Sequence, residues 1–178
     1  LIIPKNLQIA LMINASDFIN QKNIETSINK FFPINKKIKL VRIAAHYHEI
    51  NSLNKIAFAL KKNNFQVAIN LMQISNYSKS NIDNIIKKIE SSYVDYIYLA
   101  DSLGAMKEKD ISKQIRYFKK KWKKKIGIHT HDNQYCAVSN TIKAVDEGVD
   151  IVDSTVMGMG RGPGNAKTEI IIEYFKKI

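Results

Sequence analysis

Cysteine is nearly missing from this chain of 178 residues, in which Cys136 stands alone. A single cysteine excludes an internal disulfide and fits a reducing compartment, so a cytoplasmic location is expected. Long hydrophobic runs are also missing. The longest, such as Tyr96 to Ala100, falls far short of the ~20 apolar residues that a bilayer demands, and no membrane association is expected. The opening Leu-Ile-Ile-Pro-Lys is neither a signal peptide nor a targeting helix. No Gly-x-Gly-x-x-Gly turn follows the first strand-like run, which counts against a dinucleotide-binding sheet. Acidic residues are scarce: 16 stand against 28 Lys and Arg, a net charge of +12. That imbalance invites a nucleic-acid reading. The basic residues, however, concentrate at Lys119 to Lys125, the end of a predicted helix, where lysines complement the dipole and aid solubility. No nucleic-acid motif is present, so nucleic acid is disfavoured. A non-enzymatic basic module that binds anions or nucleic acid stands as the alternative to an enzyme.

What is present is an alternation. Apolar runs rich in Ile and Val occupy Leu7–Ile13, Ile38–Ala44, Gln66–Met72, Val94–Ala100, Lys125–Thr130 and Val149–Val156. Segments of helical period lie between and after them, at Ser16–Phe32, Ile50–Asn63, Asn81–Ser91, Lys109–Lys124, Asn133–Glu147 and Asn165–Lys177. Such alternation predicts an α/β fold with a parallel sheet built from six βα units. The strands are apolar nearly throughout, as strands buried on both faces are. Two architectures fit: an open doubly wound sheet, or part of an eight-unit barrel of ~250 residues. Both place ligands at the carboxyl ends of the strands. There the polar punctuation falls: His46-Tyr47-His48-Glu49, Ser75-Asn76, Asp101-Ser102, His131-Asp132-Asn133 and a glycine-rich loop.

All four histidines fall in two His-x-His pairs. Alternate residues of a strand share a face, so His129 and His131 are spaced to grip one divalent ion. Asn165, after the glycine loop, is a helix cap that also reaches a metal. His46 sits where its strand has already ended and reads as a hydrogen-bond donor to substrate; with Asp101 it forms the candidate catalytic set. Asp101 has a plainer reading as a cap of the turn through Ser102 and Gly104. Arg42 lies inside an apolar strand, where an unpaired charge is costly; it needs an anionic partner and is taken as substrate-binding. Four of the seven glycines fall at alternate positions from Gly158 to Gly164. Gly160, Gly162 and Gly164 are expected to approach a substrate with bare backbone, and Arg161 to pair with a carboxylate or phosphate. Cys136 is placed in the first turn of the helix opening at Asn133.

With these residues assembled, the chain resembles the metal-dependent aldolase and lyase superfamily. That group includes 4-hydroxy-2-oxovalerate aldolase, 3-hydroxy-3-methylglutaryl-CoA lyase and 2-isopropylmalate synthase. The likeness is nearest to the 4-hydroxy-2-oxovalerate aldolases and rests on four motifs in order: Val41 to His46, Tyr98 to Met106, Gly127 to Asn133 and Gly158 to Ala166. It implies a partial (β/α)₈ TIM barrel, one catalytic-barrel domain over residues 1–178 carrying strands three to eight, with the two N-terminal βα units missing. It also implies a carbon–carbon lyase that acts on a 2-oxo acid through a pyruvate-type enolate with Mn²⁺, Mg²⁺ or another divalent ion. The family's first strand carries an aspartate for the metal and an arginine for the substrate carbonyl, and that strand is not among these six. The glycine loop also lacks the cysteine of the 3-hydroxy-3-methylglutaryl-CoA lyases. The expectation is an incomplete catalyst, inactive alone, with a homo-oligomeric copy or another partner covering the open sheet edge. A metal-binding pseudoenzyme of the same fold is a further possibility.

Overall fold

A computed structural model of the chain describes residues 7–32, 37–89 and 93–177. Helices and strands alternate throughout: β1 (Ile9–Asn14), α1 (Ser16–Ile19), α2 (Ile24–Phe31), β2 (Ile38–Ala45), α3 (Ile50–Lys62), β3 (Gln66–Leu71) and α4 (Lys79–Ile89). The second half adds β4 (Tyr96–Asp101), α5 (Glu108–Lys121), β5 (Lys125–Thr130), α6 (Ala137–Asp146), β6 (Ile151–Val152) and α7 (Thr168–Phe175). The six strands are parallel and lie in the order in which the chain makes them. A doubly wound sheet reverses direction at a switch point. This one does not, so the order is that of a barrel wall.

The two faces of the wall differ. Val41, Ile43, Ala45, Val67, Ile69, Leu71, Ile97, Leu99, Ile126 and Ile128 point outward into the main core. There they meet one stripe of each helix: Leu53, Ile56 and Leu60 of α3, Ile82, Ile85 and Ile89 of α4, and Ile111, Ile115 and Phe118 of α5. Burying such side chains stabilises by roughly 1.5–3 kcal/mol each. The alternate residues face inward, and they include Arg42, Asn70, Tyr98 and His129. Unbroken apolarity was thus a good sign of strands but hid a polar inner face.

Several boundaries differ from expectation. The helix expected over 16–32 is two helices, since Asn23 caps a fresh start by accepting the amide of Thr26. The helix expected from Asn133 begins at Ala137, after a turn in which Tyr135 takes φ 55°; Cys136 is its N-cap. The last strand shrinks to two residues, and the last helix starts at Thr168 with Lys167 as N-cap, so Asn165 is not a cap. Along β1 at the sheet edge, Leu11 and Met12 are exposed. No described helix is long and apolar enough to cross a membrane.

Gly127 is required by the inner face. A Cβ there would lie 2.5 Å from the ring of Tyr98, which in turn carries the Arg42 guanidinium 3.7 Å from its centroid. Gly127→Ala is expected to cost about 1–3 kcal/mol, the usual range for overpacking, read as a lowered midpoint of urea unfolding with an unchanged slope.

Candidate active site

At the carboxyl end of β5 the two histidines meet as their spacing predicts. His129 Nε2 lies 3.2 Å from His131 Nε2, with ring centroids 4.9 Å apart. The opposite nitrogen of His129, Nδ1, is 2.9 Å from a carboxylate oxygen of Asp153. A carboxylate accepts, so Nδ1 carries the proton and Nε2 presents its lone pair. This carboxylate–histidine pairing is the usual outer partner of a metal-ligating imidazole.

Asp153 was not foreseen. It lay inside the run read as a strand, yet β6 ends one residue earlier. Its carboxylate also accepts from Arg42, at 2.9 Å from Nη1 and 2.6 Å from Nη2, while Arg42 Nε donates to Asn70 Oδ1 at 3.0 Å. Burial alone would raise the Asp153 pKa, but the hydrogen bonds from His129 and Arg42 hold it below the usual carboxylate range. The anionic partner that Arg42 requires is therefore present as the chain's own Asp153. A buried charge on an apolar strand was the signal that a carboxylate had to exist, though not where.

His131 is pushed below its ordinary pKa by burial first, then by the neighbouring His129 and the charge of Arg161, against a smaller opposing effect of Asp101. It stays neutral near pH 7, the form that binds metals. Asn165 pairs with His131 through a backbone bridge. Its Nδ2 donates to the Met159 carbonyl at 3.1 Å, and its Oδ1 is closed off without any partner. A buried acceptor left unmade costs about 1–3 kcal/mol, so this amide oxygen, on the residue bridged to His131, suits a bound cation. Two imidazole nitrogens and one amide oxygen are donor types that a divalent ion accepts. Among the described residues, no group of three or more His, Cys, Asp or Glu side chains converges to hold an ion.

The glycine loop folds on itself. A Cβ on Gly164 would lie 2.1 Å from the Gly158 carbonyl oxygen, and one on Gly160 2.4 Å from Asn165 Nδ2. These glycines are therefore needed for contacts within the loop and around Asn165. Gly162, at φ 58° with open space around its Cβ position, and the exposed Arg161 form the loop tip. Asp101 is fully buried, and its two oxygens accept from the amides of Ala105 and Met106 at 3.1 and 3.0 Å. That is the turn-capping role; Asp101 reaches the site only through its charge. His46 is elsewhere, stacked on His48, and no hydrogen bond or ring contact joins it to His129 or His131.

With that geometry in view, comparison with known proteins is decisive. A sequence profile of the HMGL-like family matches residues 4–177. The chain belongs to the HMGL-like family. A 4-hydroxy-2-oxovalerate aldolase of Pelotomaculum thermopropionicum is 34% identical over 140 residues, covering 79% of this chain and 41% of that protein. The chain thus spans less than half the length of this curated relative. Among solved structures, the N-terminal domain of an aldolase candidate from Bacteroides vulgatus superposes with TM-score 0.83 and 29% identity over 97% of this chain and 56% of that one. Bacillus subtilis HMG-CoA lyase gives 0.79 at 16% identity, over 98% and 64%; this likeness shows the fold, a partial TIM barrel.

Asp153→Asn is expected to destabilise the fold by about 3 kcal/mol, since one partner of a mostly buried ion pair is left uncompensated. Because the folded-state carboxyl is depressed, its contribution is present above the ordinary value of about 3.9. It is lost as pH falls through the lower folded value. Urea midpoints of the two proteins should therefore differ at pH 7 and converge in acid.

Proposed function

We propose that this chain is the metal-holding part of a divalent-metal-dependent carbon–carbon lyase of the aldolase type, acting on a 2-oxo acid. The observation that carries the reading is the pair of Nε2 atoms 3.2 Å apart, with the partnerless Oδ1 of Asn165 on the segment bridged to His131. Relatives named as 4-hydroxy-2-oxovalerate aldolases support the substrate class.

When bound, Mn²⁺ or Mg²⁺ supplies Lewis acidity to the keto oxygen of the 2-oxo acid, favouring a pyruvate-type enolate. His129 and His131 lend their Nε2 lone pairs, and Asn165 its side-chain oxygen. Asp153 keeps His129 in the tautomer that can ligate, and Arg42 keeps Asp153 ionised and in place. Arg161, at the exposed loop tip, offers a guanidinium fork to the substrate carboxylate. Three such donors make a weak site, so turnover by the 178-residue chain alone should be near background. A second copy or another partner over the exposed β1 edge belongs to the same proposal, as does a cytoplasmic location.

The rival reading, a basic anion-binding module, finds little support in the lysine run. Lys119 donates to the carbonyls of Glu147 and Gly148, Lys121 pairs with Asp83, and Lys124 donates to the Val94 carbonyl. These lysines tie the end of α5 to α4 and to neighbouring loops.

Mn²⁺ titration followed by electron paramagnetic resonance tests the site directly on this chain. Replacing both His129 and His131 by Ala should abolish saturable binding, and unchanged binding would refute the proposal. Gly160→Ala should weaken Mn²⁺ affinity about tenfold by displacing Asn165, in line with the loss of outer supports at metal sites. Pyruvate release from a 4-hydroxy-2-oxo acid, in a protein containing this chain together with a complete barrel, should vanish in the double histidine variant.

A further inference from the structure

A cavity opens on the carboxyl-end rim of the wall, at the ends of β2 and β3. It holds about 240 Å³ and is lined by the side chains of His46, Tyr47, His48, Gln73, Asn76 and Tyr77, among others. At ~30 Å³ per water that is room for about eight waters. Imidazoles, carboxamides and phenols make up this lining, and no Lys, Arg, Asp or Glu contributes to it. Such a set offers no fixed charge to a phosphate or carboxylate. An apolar chain would strip water from the amides without replacing their hydrogen bonds. Hydroxyl groups both donate and accept, and so match every group present.

Two further observations bear on what the cavity can take. Gln73 takes the left-handed conformation, φ 56° and ψ 43°, which a residue with a Cβ adopts at a cost and keeps only when its surroundings impose it. Here Ser102 Oγ, from the loop after β4, accepts the Gln73 amide at 3.1 Å. Part of the hydrogen-bonding capacity of the lining is also unspent, although Tyr47 accepts from Asn84 and Asn81 from Ser78. Among the described residues no hydrogen bond ends on the side chains of His48, Gln73 or Asn76, while His46 is set by its amide bond to Glu49 Oε2 at 2.7 Å. The His46 and His48 rings stack at 5.7 Å with 7° between planes.

The curvature of the wall brings this cavity onto the same mouth as the histidine pair. Arg42, four residues before His46 on the chain, grips Asp153 beyond the end of β6, and Asp153 holds His129. A 2-oxo acid held at His129 and His131 would share the carboxyl-end rim with this cavity. Resting on the 2-oxo acid reading above, we infer that this cavity receives the uncharged, hydroxyl-bearing chain of the aldehyde half of the substrate.

The test is NMR on the ¹⁵N-labelled 178-residue chain, with erythritol, butan-1-ol and glycerol 3-phosphate as probes. Erythritol should shift the side-chain resonances of Gln73, Asn76 and His48 saturably, and the other two should bind at least about tenfold more weakly. Gln73→Gly keeps the left-handed backbone without its side chain, so the fold survives; the erythritol response should fall about tenfold. Absence of a saturable erythritol response, an equal response to butan-1-ol, or a preference for the phosphate would overturn the inference. A separate arm follows broadening of the His129 and His131 resonances by Mn²⁺, with and without pyruvate. If that arm behaves as expected and erythritol fails, only the cavity assignment falls. If it fails, the 2-oxo acid reading falls, and the assignment to a half of that substrate falls with it.

Discussion

The ion pair between Arg42 and Asp153 is the contact on which the site depends. It joins the second strand of the wall to the end of the sixth, across the three strands between them, and so acts as a chord that fixes the curvature. Its carboxylate is shared: two bonds to the guanidinium on one side and one to His129 on the other. Breaking such a pair by removing one member leaves an uncompensated buried charge. The inner face shields the pair with Tyr98, whose phenol is itself pushed up to about 12 by burial, and with Asn70. Curvature, imidazole tautomer and the inner-face charge balance therefore rest on one carboxylate.

This arrangement accounts for the division of labour between the faces of the sheet. The outward face does the work of stability, with isoleucine, leucine and valine packed beneath the helices. The inward face is freed to carry polar groups that a core would not tolerate. Small residues there are as informative as large ones. Gly127 exists so that Tyr98 can lie flat across β5, and Gly160 exists so that Asn165 can stand against the loop.

Much of this was legible in the chain, and the failures have physical causes. Six strands and their parallel order follow from apolar runs alternating with helical periods. The His129 and His131 pair follows from the two-residue period of a strand, which survives any error in boundaries. Arg42 announced a partner because a charge in an apolar strand cannot stand alone. The partner itself was invisible, since Asp153 is 111 positions away and looked like an interruption in a strand. Asn165 was read as a helix cap because Asn favours that position, yet the bridge to His131 places it in an extended segment before the helix. Asp101 carries an ordinary strand-end signature that serves capping and catalysis equally well; the amides of Ala105 and Met106 show that the cap is made.

The strictly sequential strand order has a consequence for how the molecule is made. Each strand after the first pairs with the one synthesised just before it, so each pairing closes over a single helical crossover rather than over several. The Arg42–Asp153 chord is the exception, spanning nearly two thirds of the chain. Its closure carries the larger loop entropy and can occur only once the intervening strands are aligned. The wall therefore zips up first, and the groups that shape the site lock into register last.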